Sequence, residues 1–156
     1  MTTIAFTASR TILPEQYRIL DFALNLISVR SGPSPVYVTG ACIGGDQYIS
    51  TTLREMDPGA TQKIIVPADT SRVDEDWLRD ITGLPGVHIV RMPRCTNYKD
   101  RNLRILEEAG RLVAFPFYPE SDARSRRSGS WQTVRMARLR EMPVETHILS
   151  GYHCAL

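Results

Sequence analysis

Two glycine-bearing turns in the sequence have the composition of anion-binding sites. The first, residues 40–45, follows a short apolar segment and precedes a helical pattern that begins at Asp46. Glycine at a strand-to-helix junction lets the backbone approach an anion closely, and the free amides of the helix N-terminus favour phosphate. The sequence therefore predicts that a phosphate-bearing ligand contacts this turn through Gly40, Ala41, Gly44, Gly45 and Asp46.

The spacing of this first turn excludes two common classes of nucleotide site. It lacks the G-x-G-x-x-G fingerprint of dinucleotide-binding domains. It approaches a P-loop, but Asp46 and Gln47 stand where a P-loop carries the lysine and the Ser/Thr that contact phosphates and magnesium. We therefore exclude a Walker-type NTPase.

The second turn, residues 128–130, opens the last helical pattern of the chain. Ser130 is a candidate cap for that helix, and the amides that follow Gly129 would face the same ligand as the first turn. Trp131, with Phe117 and Tyr118, is a candidate for stacking on a base, although each ring would also suit the core. The alternative is a simple helix cap with no ligand.

Arginine supplies nearly all of the basic side chains, because Lys63 and Lys99 are the only lysines. Arginine presents a planar fork that binds phosphate through two hydrogen bonds. The predicted ligand-binding residues outside the turns are Ser9, Arg10, Arg101 and Asn102. Either these arginines contact a ligand or they are ordinary surface charges.

Residues 119–128 form a segment rich in serine and arginine. This composition predicts an exposed loop that could act as a mobile lid. If the protein is instead an interaction protein, the arginines of this loop, Arg124, Arg126 and Arg127, could meet an acidic partner or nucleic acid.

Asp46 and Asp69 are the carboxylates that could act as catalytic groups, by contacting ribose hydroxyls or activating water. Asp46 has a structural alternative, because a carboxylate in the first turn of a helix is favoured by the helix dipole. No metal site, disulfide or cofactor is expected, since the cysteines and histidines show no ligand spacing; they are Cys42, Cys95, Cys154, His88, His147 and His153.

The elements that must position these residues alternate along the chain. Apolar segments predict strands at residues 3–8, 36–39, 62–66, 87–91, 112–116 and 144–149. Helical spacing predicts helices at residues 13–29, 46–56, 71–81, 98–109 and 130–141, with an irregular tail at 150–156.

Alternating strands and helices predict an α/β fold, a three-layer Rossmann-like domain with a mostly parallel sheet of about six strands and helices on both faces. Residues 1–156 are expected to form this single domain. Ligands of such sheets bind beyond the carboxyl ends of the strands, where the candidate residues converge. With no long apolar segment and no secretion signal, we expect a cytoplasmic protein without membrane contact. A formal net charge of +2 makes nucleic acid an unexpected partner.

In order and spacing the motifs resemble those of the SLOG superfamily, which includes the Lonely Guy (LOG) phosphoribohydrolases, DprA-like folds and YspA-like proteins. The YspA-like branch is the most similar. The resemblance runs over nearly the whole chain, through residues 7–10, 39–46, 67–69, 101–102, 112–116 and 129–130. It implies a Rossmann-like sheet that binds nucleotides or nucleotide-derived signals, as a homodimer or homotetramer.

One position departs from the LOG enzymes, whose Gly-Gly-x-Gly-Thr-x-x-Glu motif holds phosphate and supplies a catalytic glutamate. Gly129 and Ser130 occupy the positions of the Gly-Thr pair in this motif, but Thr133 occupies the position of the glutamate. Threonine is not a general base near neutral pH. The first hypothesis is therefore a nucleotide-binding sensor or sequestering module. The alternatives are an N-glycosidic hydrolase of a nucleoside phosphate that uses Asp46, and a scaffold or interaction protein without a ligand.

Overall fold

A six-stranded parallel sheet forms the centre of the molecule in the computed structural model, which describes residues 2–151. The strands are β1 (Thr3–Ala8), β2 (Val36–Gly40), β3 (Thr61–Val66), β4 (Val87–Arg91), β5 (Arg111–Phe115) and β6 (Val144–Thr146). Every neighbouring pair is parallel, and the spatial order is β4-β3-β2-β1-β5-β6. The predicted Rossmann-like α/β class is confirmed.

Helices cover both faces of the sheet. They are α1 (Tyr17–Arg30), α2 (Gly45–Met56), α3 (Glu75–Ile81), α4 (Tyr98–Glu107) and α5 (Gly129–Leu139), with 3₁₀ turns at Pro14–Gln16 and Ala123–Arg127. Side chains alternate along each strand, so Phe6 packs beneath α1 and α2 while its neighbour Ala5 packs beneath α4 and α5. The three predicted layers are therefore present.

The main differences from the predicted elements lie at their ends. The helix expected at residues 13–29 begins at Tyr17, because residues 14–16 form a 3₁₀ turn. The helix expected at residues 71–81 begins at Glu75, because the Asp74 carboxylate accepts hydrogen bonds from the Asp76 and Trp77 amides, each at 3.1 Å. In both cases a turn or a helix cap sets the first residue of the helix, and hydrophobic spacing alone does not reveal turns or caps.

The last strand is also shorter than the predicted 144–149, since β6 ends at Thr146. The chain still follows β5, because the His147 and Leu149 amides donate to the carbonyls of Ala114 and Pro116, both at 2.9 Å. Of the predicted irregular tail, residues 152–156 lie outside the described residues, and with them His153 and Cys154.

The strand order reverses at β1. Strands β2 to β4 extend from one side of β1, whereas β5 and β6 extend from the other. The loops that leave the carboxyl ends of β1 and β5 therefore diverge and open a crevice between them, as at the ligand sites of open α/β sheets. Within residues 2–151, no helix has the length and apolar character needed to cross a membrane.

Candidate functional site

A cavity of about 480 Å³ lies at this reversal point. It is formed by the loops after β1 and β5 and by the N-terminal turns of α2, α4 and α5. The residues that line it are Thr7, Ala8, Ser9, Arg10, Thr11, Asp46, Tyr98, Arg101, Asn102, Phe117, Tyr118, Arg124, Ser125, Arg127, Ser128, Gly129, Ser130 and Gln132. Arginines and hydroxyls dominate this set. Among the described residues, Asp46 is the one carboxylate in the lining. The size and composition suit a small anionic ligand.

The turn after β1 is held at one side of the cavity by hydrogen bonds. The Ser9 amide donates to the Phe115 carbonyl at 2.9 Å, and the Ser9 hydroxyl accepts from the Thr11 amide at 3.2 Å. The Arg10 guanidinium lies 5.0 Å from the centre of the Tyr98 ring, within the range of a cation–π interaction. Ser9 and Arg10 therefore lie where the sequence places them, on the lining of the cavity.

The glycine turn contacts protein rather than the cavity. A Cβ at Gly44 would lie 2.0 Å from the Arg10 carbonyl oxygen, and a Cβ at Gly45 would lie 2.3 Å from the Ala8 Cβ. The Gly45 amide donates to the Ser9 carbonyl, and the Ile43 amide donates to the Arg72 carbonyl. The glycines thus allow this turn to pack closely against the β1 turn. Their role in binding phosphate stays a prediction. Gly40, Ala41, Gly44 and Gly45 are absent from the lining described above.

A buried ion pair joins the floor of the cavity to the glycine turn. Arg101 Nη1 lies 3.5 Å from Asp46 Oδ2, and the two side chains are 7% and 11% exposed. The Arg101 Nε donates to Asn102 Oδ1 at 2.9 Å. The Asp46 carboxylate also accepts a hydrogen bond from the Cys42 amide. Gly40 permits this contact, because a Cβ there would lie 2.2 Å from Arg101 Nη1.

Burial raises the pKa of Asp46, and the Arg101 guanidinium beside it acts in the opposite direction. Burial likewise raises the pKa of the Cys42 thiol, whose sulfur lies 3.9 Å from both Arg101 terminal nitrogens. A thiol held neutral in this way is a weak nucleophile. Asp46 and Arg101 therefore form a buried, mutually paired part of the cavity lining.

The N-terminus of α5 opens directly into the cavity. The Ser128 hydroxyl caps this helix by accepting from the Trp131 amide at 3.3 Å. The amides of Gly129 and Ser130 precede the first intrahelical hydrogen bond, so they have no acceptor within their own helix. A Cβ at Gly129 would meet no atom within 4 Å, so there is open space beside this residue, and both Gly129 and Ser130 line the cavity. This is the geometry of an anion site at a helix N-terminus.

The segment at residues 119–128 is exposed along most of its length, as its composition predicts, but it also contains a folded turn. Residues Ala123–Arg127 form a 3₁₀ turn whose Ser125 is buried and donates to the Pro119 carbonyl at 2.7 Å. The Trp131 indole nitrogen donates to the Tyr118 carbonyl at 2.8 Å. The segment therefore covers one side of the cavity as a folded wall, with Arg124 and Arg127 in the lining.

Besides the residues of the glycine turn, three more predicted site residues lie away from the cavity lining. Trp131 is 3% exposed and packs in the core, so its ring holds the wall instead of facing a base. Thr133 is fully buried, and its hydroxyl donates to the Gly129 carbonyl at 2.8 Å. The Asp69 side chain is exposed and accepts from the Ser71 amide. Thr133, which occupies the position of the LOG glutamate, and Asp69, the second predicted carboxylate, therefore do not line this cavity.

Tyr98 is one of the lining residues that sequence reasoning missed, along with Thr11, Ser125 and Gln132. Two guanidinium groups lie near its ring, that of Arg101 at 5.5 Å and that of Arg10 at 5.0 Å from the ring centre. Its hydroxyl donates to the Asp69 carbonyl at 3.2 Å. The sequence signal that could have identified Tyr98 is its position three residues before Arg101, because residues three apart share a helix face.

The Asp122 carboxylate orients one arginine of the wall and should titrate at an unusually low pH. Hydrogen bonds from the Arg124 side chain and then its amide lower the pKa of Asp122 to about 2. Since the folded pKa is depressed, the ion pair is complete above the ordinary pKa and is lost as the pH falls through about 2. In an NMR titration of carboxyl carbons, we expect Arg124→Gln to raise the pKa of Asp122 and Arg126→Gln to leave it unchanged. An ordinary pKa for Asp122 in the wild-type protein would contradict this geometry.

Comparison with known proteins identifies the fold but no family. No protein-family model matches the sequence, and no curated protein matches it. A matching solved structure is DNA processing protein A from Helicobacter pylori, described for its unique single-stranded DNA binding mode. The TM-score is 0.64 at 13% identity, and the match covers 93% of this chain and 64% of that chain. This chain is therefore similar in fold to DNA processing protein A, and the DprA-like Rossmann fold implied by the sequence motifs is confirmed.

Proposed function

We propose that the cavity binds a nucleotide or a nucleotide-derived phosphate ligand, and that the protein acts as a sensor or sequestering module. The observation that carries the proposal is the open N-terminus of α5, where the Gly129 and Ser130 amides meet a cavity lined by arginines. Helix N-terminal amides and arginine forks both favour phosphate oxygens. The reversal point of the sheet is also the usual ligand position in this class of fold.

The remaining lining suits the base and the sugar. Tyr98, Phe117 and Tyr118 provide aromatic surface, and the Arg124 guanidinium lies 3.7 Å from the centre of the Tyr118 ring. A base can stack on such rings or on the guanidinium planes beside them. The hydroxyls of Thr7, Ser9 and other lining residues would accept or donate hydrogen bonds to ribose.

Binding without turnover is favoured by the state of the carboxylates. The position of the LOG glutamate holds the buried Thr133, and Asp69 is exposed outside the lining. Asp46 does line the cavity, but its carboxylate is engaged by Arg101. A general base must reach the proton that it abstracts. The alternative is hydrolysis of an N-glycosidic bond through Asp46. The experiment described below must therefore distinguish binding of the nucleotide from its hydrolysis.

Single-stranded DNA is a second candidate ligand, favoured by the fold similarity to DNA processing protein A. A strand presents phosphates and unstacked bases, which arginines and aromatic side chains bind together. A mononucleotide fits better with a cavity of about 480 Å³ whose anion site lies at a single helix terminus. We further propose SLOG membership, a single domain over residues 1–156 and a cytoplasmic location.

The test is calorimetric titration with AMP, ADP, cyclic AMP, the guanine and pyrimidine counterparts and a short single-stranded DNA. Mass spectrometry of each mixture after incubation reports whether the nucleotide is recovered intact. Tight binding of a mononucleotide with no free base supports the proposal. Release of free base would establish the glycosidase instead, and preference for the DNA strand would establish the nucleic-acid ligand. No binding to any probe would refute a nucleotide site.

Removing one arginine of the lining should weaken binding without affecting the fold. Arg127 is exposed and lines the cavity, whereas its neighbour Arg126 is exposed and lies outside the lining. A charge-assisted hydrogen bond contributes about 1.5–3 kcal/mol, so we expect Arg127→Ala to raise the dissociation constant of the best mononucleotide by about 10- to 100-fold. Arg126→Ala is the matched control and should bind as the wild type does. Equal affinity of the two variants would remove Arg127 from the site.

A further inference from the structure

The arginines that line the cavity lie on different elements. Arg124 and Arg127 belong to the wall that leads into α5. Arg10 follows β1 and Arg101 lies on α4, and the guanidinium carbons of these two lie 5.0 Å and 5.5 Å from the centre of the Tyr98 ring. The lining therefore contains a second pair of arginines, Arg10 and Arg101, on elements other than the wall and the anion site at α5.

This second pair carries more positive charge than the surrounding protein neutralises. Two guanidinium groups near one ring repel each other. Asp46, the one carboxylate in the lining among the described residues, pairs with Arg101. Within residues 2–151, no ion pair joins Arg10 to a carboxylate. One positive charge of the pair is therefore left for a ligand to neutralise.

The buried guanidinium of Arg101 also keeps donors that the protein does not satisfy with oxygen. Its side chain is 7% exposed, and its Nε donates to Asn102 Oδ1. In the described part of the chain, the hydrogen-bond partner of its two terminal nitrogens is the Cys42 sulfur, 3.9 Å from each. Sulfur is a weak acceptor, and the Asp46 oxygen at 3.5 Å lies beyond an ordinary N–H···O hydrogen bond. Since buried donors are normally satisfied, a ligand oxygen in the cavity is the acceptor that these nitrogens lack.

We propose that Arg10 and Arg101 form a second anion subsite, and that the ligand carries two phosphates, one at the N-terminus of α5 and one beside Tyr98. This inference rests on the proposed nucleotide site and deepens it by naming the phosphate state of the ligand. An arginine fork binds phosphate oxygens through paired hydrogen bonds. A second phosphate would therefore satisfy the terminal donors of Arg101 and the charge of Arg10 together. The two phosphates are either joined as a 5′-diphosphate or attached to separate ribose hydroxyls.

The test is calorimetric titration of the full chain with AMP, ADP and adenosine 3′,5′-bisphosphate, and with their guanosine counterparts, in EDTA so that no metal ion contributes. We expect one two-phosphate ligand to bind at least about 10-fold more tightly than the corresponding monophosphate. Preference for the diphosphate or for the bisphosphate identifies how the phosphates are attached, and either supports the subsite.

Arg10→Ala is the variant that tests the second subsite, because Arg10 is exposed and its loss should not affect the fold. We expect it to weaken the preferred two-phosphate ligand by at least about 10-fold, and the monophosphate by less than about 3-fold. Arg94→Ala is the matched control, since Arg94 is exposed and lies outside the lining. It should bind every ligand as the wild type does.

Equal affinity of the wild type for one and for two phosphates would overturn the second subsite and leave the proposed nucleotide site standing. Equal losses of both ligands in Arg10→Ala would also overturn it, because Arg10 would then contact the phosphate that they share. Inorganic pyrophosphate separates this inference from the proposed function. If pyrophosphate bound, Arg10→Ala weakened it and no nucleotide bound, the two subsites would be supported and the nucleotide proposal refuted. No binding of any of these probes would refute both.

Discussion

Replacing Gly44 by alanine is expected to destabilise the protein by about 3–5 kcal/mol and to lower its melting temperature by roughly 10 °C. The backbone at Gly44 has φ of 100°, a region that residues with a side chain rarely adopt. The new Cβ would also lie 2.0 Å from the Arg10 carbonyl oxygen, which belongs to the backbone and cannot rotate away. Both the strain and the clash act on the folded state only.

Gly59→Ala provides the matched control for this measurement. Its Cβ would meet no atom within 4 Å, and Gly59 is not among the glycines with positive φ. We expect its stability to stay within about 1 kcal/mol of the wild type, in either direction. If urea denaturation gave the two alanine variants equal stability, the glycine turn would not be packed against the β1 turn as described.

The second large effect is expected from breaking the buried pair of Asp46 and Arg101. Asp46→Ala leaves the Arg101 guanidinium, which is 7% exposed, without its carboxylate. Removing one partner of a buried ion pair costs about 3–5 kcal/mol, chiefly because the remaining charge stays desolvated. We expect this loss in the free energy of unfolding from urea denaturation at neutral pH.

A double-mutant cycle measures the interaction energy between Asp46 and Arg101 separately from their contacts with the rest of the site. Asp46→Ala combined with Arg101→Met removes both charges, so the combined loss should be smaller than the sum of the two single losses. Arg79→Ala is the control, because Arg79 and its partner Asp76 are 76% and 86% exposed. That change should be under about 1 kcal/mol. Strict additivity of Asp46→Ala and Arg101→Met would contradict the coupling.

The fold could be predicted because its strands are buried and therefore apolar. The β5 segment is the plainest example: residues 112–115 are all buried, so the sequence shows an unbroken apolar run. Alternation of such segments with amphipathic helices is enough to indicate a parallel sheet and to place the ligand at its carboxyl edge. Ser9, Arg10, Arg101 and Gly129 lie on the cavity for that reason.

The details of the site could not be predicted, because a residue type has more than one use at a sheet edge. Glycine permits close approach to a ligand or to another backbone, and Gly44 approaches the Arg10 carbonyl. A tryptophan beside a cavity stacks on a base or buries its ring, and Trp131 buries its ring beneath the wall. The composition of residues 119–128 suggested a loop, but the hydrogen bonds of Ser125 fold it. Each choice depends on contacts between distant segments.

The central claim is that phosphate binds at the N-terminus of α5, and amide NMR tests it most directly. The protein is titrated with AMP and, in parallel, with adenosine, while the backbone amide signals are followed. We predict that AMP shifts the Gly129 and Ser130 amides strongly downfield and that adenosine, which lacks the phosphate, leaves them nearly unchanged. Strong binding of AMP with these two amides unmoved would contradict the account, because the phosphate would then lie elsewhere.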